Sequence, residues 1–189
     1  YNALNELGHA YALQGDYENA IKTLELAKKY FPKYPQAYNK LGNVYDTQEK
    51  LEKALKEYKS AIAVAPAYQE SYWNIAKQRM KKGDYKGAEA ILKKGIKANP
   101  NDAEGYYNLG NLYMRKKNYA KAIPQYQKAI ALSPATGKYY RALGDAYLAQ
   151  NKIPEAIGAY STALAKDPGD ALSAEKLGDI YASQGNWGK

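Results

Sequence analysis

The sequence predicts an all-α solenoid built from helix–turn–helix repeats. Three observations lead to this fold class. A small residue recurs every 34 residues, an alanine and a proline follow it at fixed distances, and aromatic residues keep helical spacing around it. A fixed period of about 20 to 50 residues is typical of solenoids, in which each repeat is one supersecondary unit stacked on the next.

The recurring small residue follows an aliphatic residue in every repeat and marks a close approach of two helices. It stands at Gly8, Gly42, Ala76, Gly110, Gly144 and Gly178. The alanines twelve residues further on are Ala20, Ala54, Ala88, Ala122 and Ala156. The prolines another twelve residues on are Pro32, Pro66, Pro100, Pro134 and Pro168. Each proline is expected to end a helix, because it lacks the N–H and disfavours helix in the residue before it.

Each repeat is predicted to contain two helices, A and B, joined by a tight turn. Aromatic and small residues at i, i+3, i+4 and i+7 describe one apolar face of helix A. In the first repeat, helix A is predicted over about Asn2 to Gln14 and helix B over about Tyr17 to Tyr30. Gly15 suits the left-handed end of helix A, and Asp16 suits the N-cap of helix B.

This pattern resembles the tetratricopeptide repeat (TPR), whose signature combines W-x2-L-G-x2-Y, A-x3-F and P. The match runs from Tyr1 to Trp187, with Tyr or Leu4 in place of the tryptophan and Leu or Tyr in place of the phenylalanine. The resemblance implies a right-handed superhelix formed by a single array. Its repeats are expected at about 1–34, 35–68, 69–102, 103–136 and 137–170, with a partial sixth at 171–189.

Helix A of each stacked pair is expected to line a concave inner wall, which is the candidate partner site. The second, fifth, sixth, ninth, twelfth and thirteenth residues of each repeat point away from the packing face of helix A. The predicted peptide-binding groove contains amide, cationic and aromatic residues at these positions: Asn39, Asn43, Trp73, Asn74, Lys77, Tyr107, Asn108, Asn111, Arg115, Lys138 and Arg141.

Asparagine is prominent in this predicted groove. Its amide both accepts and donates, so one side chain can bond the C=O and the N–H of an extended peptide backbone. In related repeat proteins such asparagines clamp a threaded chain, and the resemblance suggests the same use here. The alternative is that these asparagines are tolerated polar residues on a solvated face.

The other groove residues suggest which partner would fit. Lys77, Arg115, Lys138 and Arg141 favour a protein or peptide with an acidic segment. Trp73 is expected to be an exposed anchor for an apolar side chain, with packing under Tyr72 as the alternative.

The net charge of +9 raises the question of nucleic acid. Inner-wall cations are matched in number by acidic residues, however, and most of the excess lysine lies on the B helices and turns. A scattered convex charge is usually a solvated face, so specific nucleic-acid binding is not expected.

Catalysis is not expected either. The chain has no cysteine, and its single histidine, His9, has no paired acid in a predicted cleft, so neither a metal site nor an activated nucleophile is indicated. No cofactor is expected, and no apolar run approaches the roughly 18 residues of a membrane span. The absence of cysteine fits a reducing cytosol and a cysteine-poor periplasm equally, so the compartment stays open.

The two ends of the sequence suggest a piece of a longer chain. Tyr1 is not an initiating methionine, and Trp187 falls at the start of a second helix that does not follow. A longer natural protein is therefore expected, with capping by another subunit, or self-association through this uncapped end, as the alternatives.

The function expected from these features is a non-catalytic scaffold that binds an extended peptide or protein segment in its concave groove and supports assembly of a larger complex. Two alternatives stay open. One is a structural subunit that contacts partners through its convex lysine-rich surface or its uncapped C-terminal end. The other is the substrate-holding arm of a larger enzyme.

Overall fold

A computed structural model describes residues 2–185 of the chain. Over this range the chain forms eleven α-helices and no strand, which confirms the all-α helical-repeat fold. The helices are α1 (Asn2–Leu13), α2 (Tyr17–Tyr30), α3 (Pro35–Thr47), α4 (Leu51–Val64), α5 (Gln69–Lys81), α6 (Tyr85–Ala98), α7 (Ala103–Arg115), α8 (Tyr119–Leu132), α9 (Gly137–Ala149), α10 (Ile153–Lys166) and α11 (Ala171–Ser183).

The chain divides into two compact units, Tyr1–Pro100 and Asn101–Lys189. The first unit contains three helix pairs, α1–α2, α3–α4 and α5–α6, and the second contains the pairs α7–α8 and α9–α10 followed by α11. From the second repeat on, the first helix of each repeat begins where the period predicts, at Pro35, Gln69, Ala103, Gly137 and Ala171. The single continuous array stays a prediction.

The turns between paired helices follow the predicted chemistry in the first repeat. Gly15 has a φ of 79°, in the left-handed region, and the Asp16 carboxylate accepts a hydrogen bond from the Asn19 N–H at 3.1 Å. The carboxylate thereby satisfies one of the free N–H groups at the start of α2. Trp187 and the proposed start of a further helix lie outside the described residues.

The recurring glycines of the first helices make room for tyrosine rings. Tyr58, Tyr126 and Tyr160 are fully buried, and each ring lies directly over the glycine of its own helix pair. A Cβ added at Gly110, for example, would lie 2.8 Å from Cδ1 of the Tyr126 ring. The period of small residues is therefore a packing requirement of the core.

Tyrosine stands at the fourth position of several repeats, where the TPR consensus has tryptophan, and its hydroxyl donates a hydrogen bond to the preceding loop. The hydroxyls of Tyr72 and Tyr140 donate to the carbonyls of Pro66 and Pro134 at 2.9 and 3.1 Å. Each bond ties a first helix to the proline that ended the helix before it. Much of the tyrosine content is thus structural, as the sequence indicated.

Candidate functional site

All eleven predicted groove residues lie on the first helices of their pairs. Five of them are on α3 and α5 of the first unit, and six are on α7 and α9 of the second unit. The structure brings some of them into direct contact with each other or with acidic residues. It leaves others facing solvent, so the two groups have different chemistry.

In the first unit, three asparagines form a hydrogen-bonded cluster between α3 and α5. Asn39 is 0% exposed, and its Oδ1 accepts from the Ser71 hydroxyl at 2.9 Å and from Asn74 Nδ2 at 3.1 Å. Asn74 is 9% exposed, and its Nδ2 also donates to Asn43 Oδ1 at 3.0 Å. The expectation that Asn39 and Asn74 line an open wall is therefore corrected, because their amides join neighbouring repeats.

Asn43 is half-buried, and its amide is held in one orientation. Its Oδ1 accepts from Asn74 Nδ2 and also from the Tyr58 hydroxyl at 2.9 Å. With the oxygen turned toward these two donors, the NH₂ group points the other way within the amide plane. Asn43 also borders a cavity on the first unit.

The second unit repeats this arrangement at Asn111. Its Oδ1 accepts from the Tyr126 hydroxyl at 2.8 Å, just as Asp145 Oδ1 accepts from Tyr160 at 2.7 Å. Burial raises the pKa of Tyr126 and of Tyr160 well above the usual value, and nearby negative charge adds to it at Tyr160. Both hydroxyls therefore stay protonated and act as donors. Asn108, also predicted in the groove, is buried, with 4% of its surface exposed.

Lys138 and Tyr107 belong to an aromatic cluster in the second unit. Lys138 Nζ donates to the Glu104 carboxylate at 2.8 Å and lies 5.1 and 5.4 Å from the ring centres of Tyr107 and Tyr139. The Tyr107 ring in turn packs 5.2 Å from the Tyr139 ring. The rings and Glu104 therefore engage both side chains, which stay partly exposed.

Arg141 is also engaged by an acidic residue. Its Nη1 donates to the nearly buried Asp170, which caps α11 and accepts from the Ser173 hydroxyl at 2.7 Å. Burial acts to raise the pKa of Asp170, but the hydrogen bonds from Ser173 and Arg141 outweigh it and hold that pKa below its usual value. The expectation of Arg141 as a free groove cation is therefore corrected.

The remaining predicted residues keep their side chains available to different degrees. Lys77 on α5 and Arg115 in the last turn of α7 are exposed, and no salt bridge engages either one within residues 2–185. Trp73 is half-buried, so it is neither a fully exposed anchor nor a core residue. The accessible groups of the predicted groove are thus mainly hydrogen-bond donors.

Sequence reasoning missed a cavity of about 130 Å³ on the first unit, between α1, α2 and α3. Its lining includes His9, Leu13, Tyr17, Leu24, Asn43 and Val44. The available signal was Leu13, an apolar residue at a repeat position that is otherwise small or polar. That residue is 77% exposed in the structure.

Between residues 2 and 185, no group of three or more histidine, aspartate and glutamate side chains is placed to hold a metal ion. None of the helices in that range combines the length and apolarity that a membrane span requires.

Comparisons with known proteins give one consistent family. Sequence profiles described as tetratricopeptide repeat match residues 1–67, 74–135 and 141–189. Among curated proteins, none matches the chain significantly.

Solved structures of TPR proteins superpose well on the chain. The thermophilic TPR protein TTC0263 of Thermus thermophilus is 25% identical, with a TM-score of 0.71 over 96% of this chain and 98% of that protein. A structure of MamA is 26% identical, with a TM-score of 0.63 over 88% and 97%. YrrB, described as a TPR protein with an unusual peptide-binding site, is 17% identical, with a TM-score of 0.61 over 92% and 89%.

Proposed function

Because the chain belongs to the tetratricopeptide repeat family, we propose that it binds an extended protein segment along the first helices of its repeats. TPR repeats are generally protein–protein interaction modules, and proteins built from them are typically non-catalytic. The proposal for this chain is a scaffold without chemistry of its own, which holds a partner segment and thereby supports assembly of a larger complex.

One observation carries the proposal: tyrosine hydroxyls fix the amides of Asn43 and Asn111. In each unit a buried tyrosine donates to the asparagine oxygen, at 2.9 Å from Tyr58 and 2.8 Å from Tyr126. The oxygen is thereby occupied from inside and the NH₂ group is left to a ligand. A fixed donor loses less conformational entropy on binding than a freely rotating one.

The chemistry of each unit then indicates the kind of segment it binds. In the first unit Asn43 offers an NH₂ donor and the exposed Lys77 a positive charge, and in the second unit Asn111 and the exposed Arg115 offer the same pair. Backbone carbonyls and the carboxylates of Asp or Glu are the matching acceptors. The preferred partner is therefore an extended, acidic segment. Its backbone C=O groups accept the hydrogen bonds, and its backbone N–H groups are not used.

The expected affinity is modest. Each neutral hydrogen bond contributes a net of about 0.5 to 1.5 kcal/mol, and bonds to charged groups contribute about 1.5 to 3 kcal/mol. A few such bonds, set against the cost of association, correspond to micromolar binding at about −8 kcal/mol.

The chain itself offers a matched variant for the test. Asp145 accepts from Tyr160 in the second unit as Asn111 accepts from Tyr126. The substitutions Asn43→Asp and Asn111→Asp therefore keep an acceptor for each tyrosine hydroxyl, remove the NH₂ donors and add one negative charge at each position. Asn101→Asp, at an exposed asparagine outside this surface, adds one negative charge and is the control.

Peptides selected from a random phage-displayed library on the wild-type chain provide ligands of known sequence. We expect these peptides to be rich in Asp and Glu. In fluorescence anisotropy titrations, their Kd should rise at least about tenfold for the Asn43→Asp/Asn111→Asp variant and stay near wild type for Asn101→Asp. An unchanged Kd in the double variant, or a library that yields no binding peptide, would reject the proposal.

A competing binding surface is the outer, lysine-rich side of the first unit. Residues 1–100 contain 17 Lys and Arg against 11 Asp and Glu, and the lysines of α4 and α6 contribute to this excess. Lys56, Lys59, Lys94 and Lys97 are exposed there. If the selected peptides bind along the first helices of the repeats, reversing these four charges should leave them bound. If they bind the lysine-rich surface of α4 and α6, the same change should release them.

A further inference from the structure

We propose that the first unit carries a pocket for one aliphatic side chain of the bound segment, formed between α1, α2 and α3. This inference rests on the proposed function and specifies which segments the first unit selects. The cavity there has a volume of about 130 Å³. An apolar cavity of about 150 Å³ is large enough to hold a benzene molecule, so this one suits a single aliphatic side chain rather than a whole small-molecule ligand.

The pocket exists because Leu24 stands where the second, fourth and fifth repeats have tyrosine; the third repeat has Leu92. In the second repeat, the Tyr58 ring crosses Gly42, and its hydroxyl reaches Asn43. Leu24 packs over Gly8 in the same way, at 2.7 Å from an added Cβ, but it has no atoms that extend to His9. The space that a tyrosine ring fills elsewhere is therefore open beside His9.

Two further residues of the first repeat enlarge this opening and make it apolar. Ala12 lines the cavity, whereas the second to fifth repeats hold a larger residue at the same position: Asp46, Met80, Met114 and Leu148. Leu13 lies at the mouth and is 77% exposed. Its counterparts are small or polar: Thr47, Lys81, Arg115, Ala149 and Ser183.

The border of the pocket is made of donors that suit a peptide backbone. Asn43 presents its NH₂ group, and Lys40 lies beside it, with its Nζ 2.9 Å from the exposed Glu6 carboxylate. An apolar floor with donors at its edge fits an aliphatic side chain whose neighbouring carbonyls face the border.

The charge of the same unit indicates what lies next to that side chain in the partner. Lys77 is exposed on α5, the next first helix after α3, whereas Lys81 Nζ already lies 3.8 Å from the Asp46 carboxylate. Packed helices are about 8 to 10 Å apart, so a pocket between α1 and α3 lies about one and a half spacings, or roughly 12 to 15 Å, from α5. An extended chain advances about 3.3 Å per residue, so the pocket and Lys77 are about four residues apart along a bound segment. The occupant is therefore an extended segment with an aliphatic residue about four positions from an acidic residue.

A pocket-filled variant can be built from the pattern of the other repeats. The double substitution His9→Asn/Leu24→Tyr reproduces the Asn43–Tyr58 pair one repeat earlier, and Gly8 is already present to receive the ring. This variant should fold at least as well as the wild type, because it restores a pairing that the chain uses elsewhere. Thermal unfolding followed by circular dichroism checks this.

The binding test uses two peptides that differ at one position. One is Ser-Glu-Gly-Ser-Gly-Leu-Gly-Ser-Gly-Glu-Ser, and the other has serine in place of leucine; the two glutamates allow either chain direction. Each is titrated into the ¹⁵N-labelled chain and followed by NMR. We expect the leucine peptide to bind the wild type about tenfold more tightly, with shifts at Leu13, Leu24 and Val44, and the preference to vanish in the pocket-filled variant.

The outcomes separate this inference from the proposed function. Equal binding of both peptides to the wild type would overturn the aliphatic pocket and leave the donor surface intact. A leucine preference that persists in the pocket-filled variant would also overturn the pocket. Binding of neither peptide would contradict both proposals.

Discussion

Three tyrosines share one role in their repeats. Tyr58, Tyr126 and Tyr160 fill the core with their rings and place their hydroxyls on a residue of the facing first helix. At Asn43 and Asn111 that bond decides which half of the amide a ligand meets. A phenylalanine would fill most of the same volume but would leave the Asn111 amide without this bond, whereas Asn43 would keep the bond from Asn74.

The chain itself engages two of the cations predicted for the inner surface. Glu104 binds Lys138, and Asp170 binds Arg141. A positive charge that already has a carboxylate partner offers less to an acidic ligand, since the existing ion pair must be broken first. The exposed Lys77 and Arg115 are therefore the better candidates for ligand contact.

The Asp170 carboxylate gives a prediction for pH dependence. Because its pKa in the folded chain lies below the value of an unfolded aspartate, about 3.9, it stabilises the fold at pH values above that range. The stabilisation is lost as the pH falls through the lowered pKa. We expect Asp170→Asn to reduce the free energy of unfolding at pH 7 and to narrow the difference between pH 7 and pH 2.5.

Urea unfolding at the two pH values measures this difference. Other carboxylates contribute equally to the wild type and the variant, so the comparison isolates Asp170. An identical pH dependence in both chains would show that the contacts of Asp170 with Arg141 and Ser173 do not stabilise its charged form.

Within the α9–α10 pair, two glycines have different physical roles, which alanine substitutions can separate. At Gly144 on α9, an added Cβ would lie 2.7 Å from Cε1 of the buried Tyr160 ring. At Gly158 on α10, no atom outside the helix backbone lies within 4 Å of an added Cβ. The first glycine is required by packing, and the second only weakens its helix.

Alanine at these two positions should change stability in opposite directions. Gly144→Ala should reduce the free energy of unfolding by about 1 to 3 kcal/mol, because a buried ring must move. Gly158→Ala should increase it by up to about 1 kcal/mol through helix propensity. Chemical denaturation of both variants measures the two changes, and a stabilising Gly144→Ala would contradict the packing of Tyr160 over α9.

The third repeat shows how an unusual residue can be locally compensated. Arg79 replaces the tyrosine of the pattern, and its Nη1 binds Asp84 at 2.7 Å beside Gly87. A side chain at Gly87 would displace this ion pair, so the three residues fit one another. Arg79 departs from the sequence pattern, but in the structure it is accommodated by its ion pair with Asp84.

Across the whole molecule, the positions of the helices were predicted from the sequence better than the side-chain contacts between neighbouring repeats. A 34-residue period fixes where helices begin and end, because glycines, prolines and apolar faces each act within one repeat. It could not show that Asn39 and Asn74 bond each other across repeats. That result depends on the exact placement of two amides on neighbouring helices.

The cavity of the first unit was missed for a related reason. Leu24 is an acceptable replacement in the family pattern, so its small size carried no warning in the sequence. Only the contrast with Tyr58, whose hydroxyl reaches Asn43, reveals the space that Leu24 leaves. Leu24 and Tyr58 both satisfy the apolar pattern of the repeat, but they differ in side-chain length, and the pattern does not encode that difference.

The orientation of the inner-surface amides is tested most directly by NMR of asparagine side chains during titration with a library-selected peptide. We expect the NH₂ resonances of Asn43 and Asn111 to shift strongly. Those of the buried Asn39 and Asn74 should shift less. Large shifts confined to residues of α4 and α6, with the Asn43 and Asn111 signals unmoved, would contradict binding through the first helices.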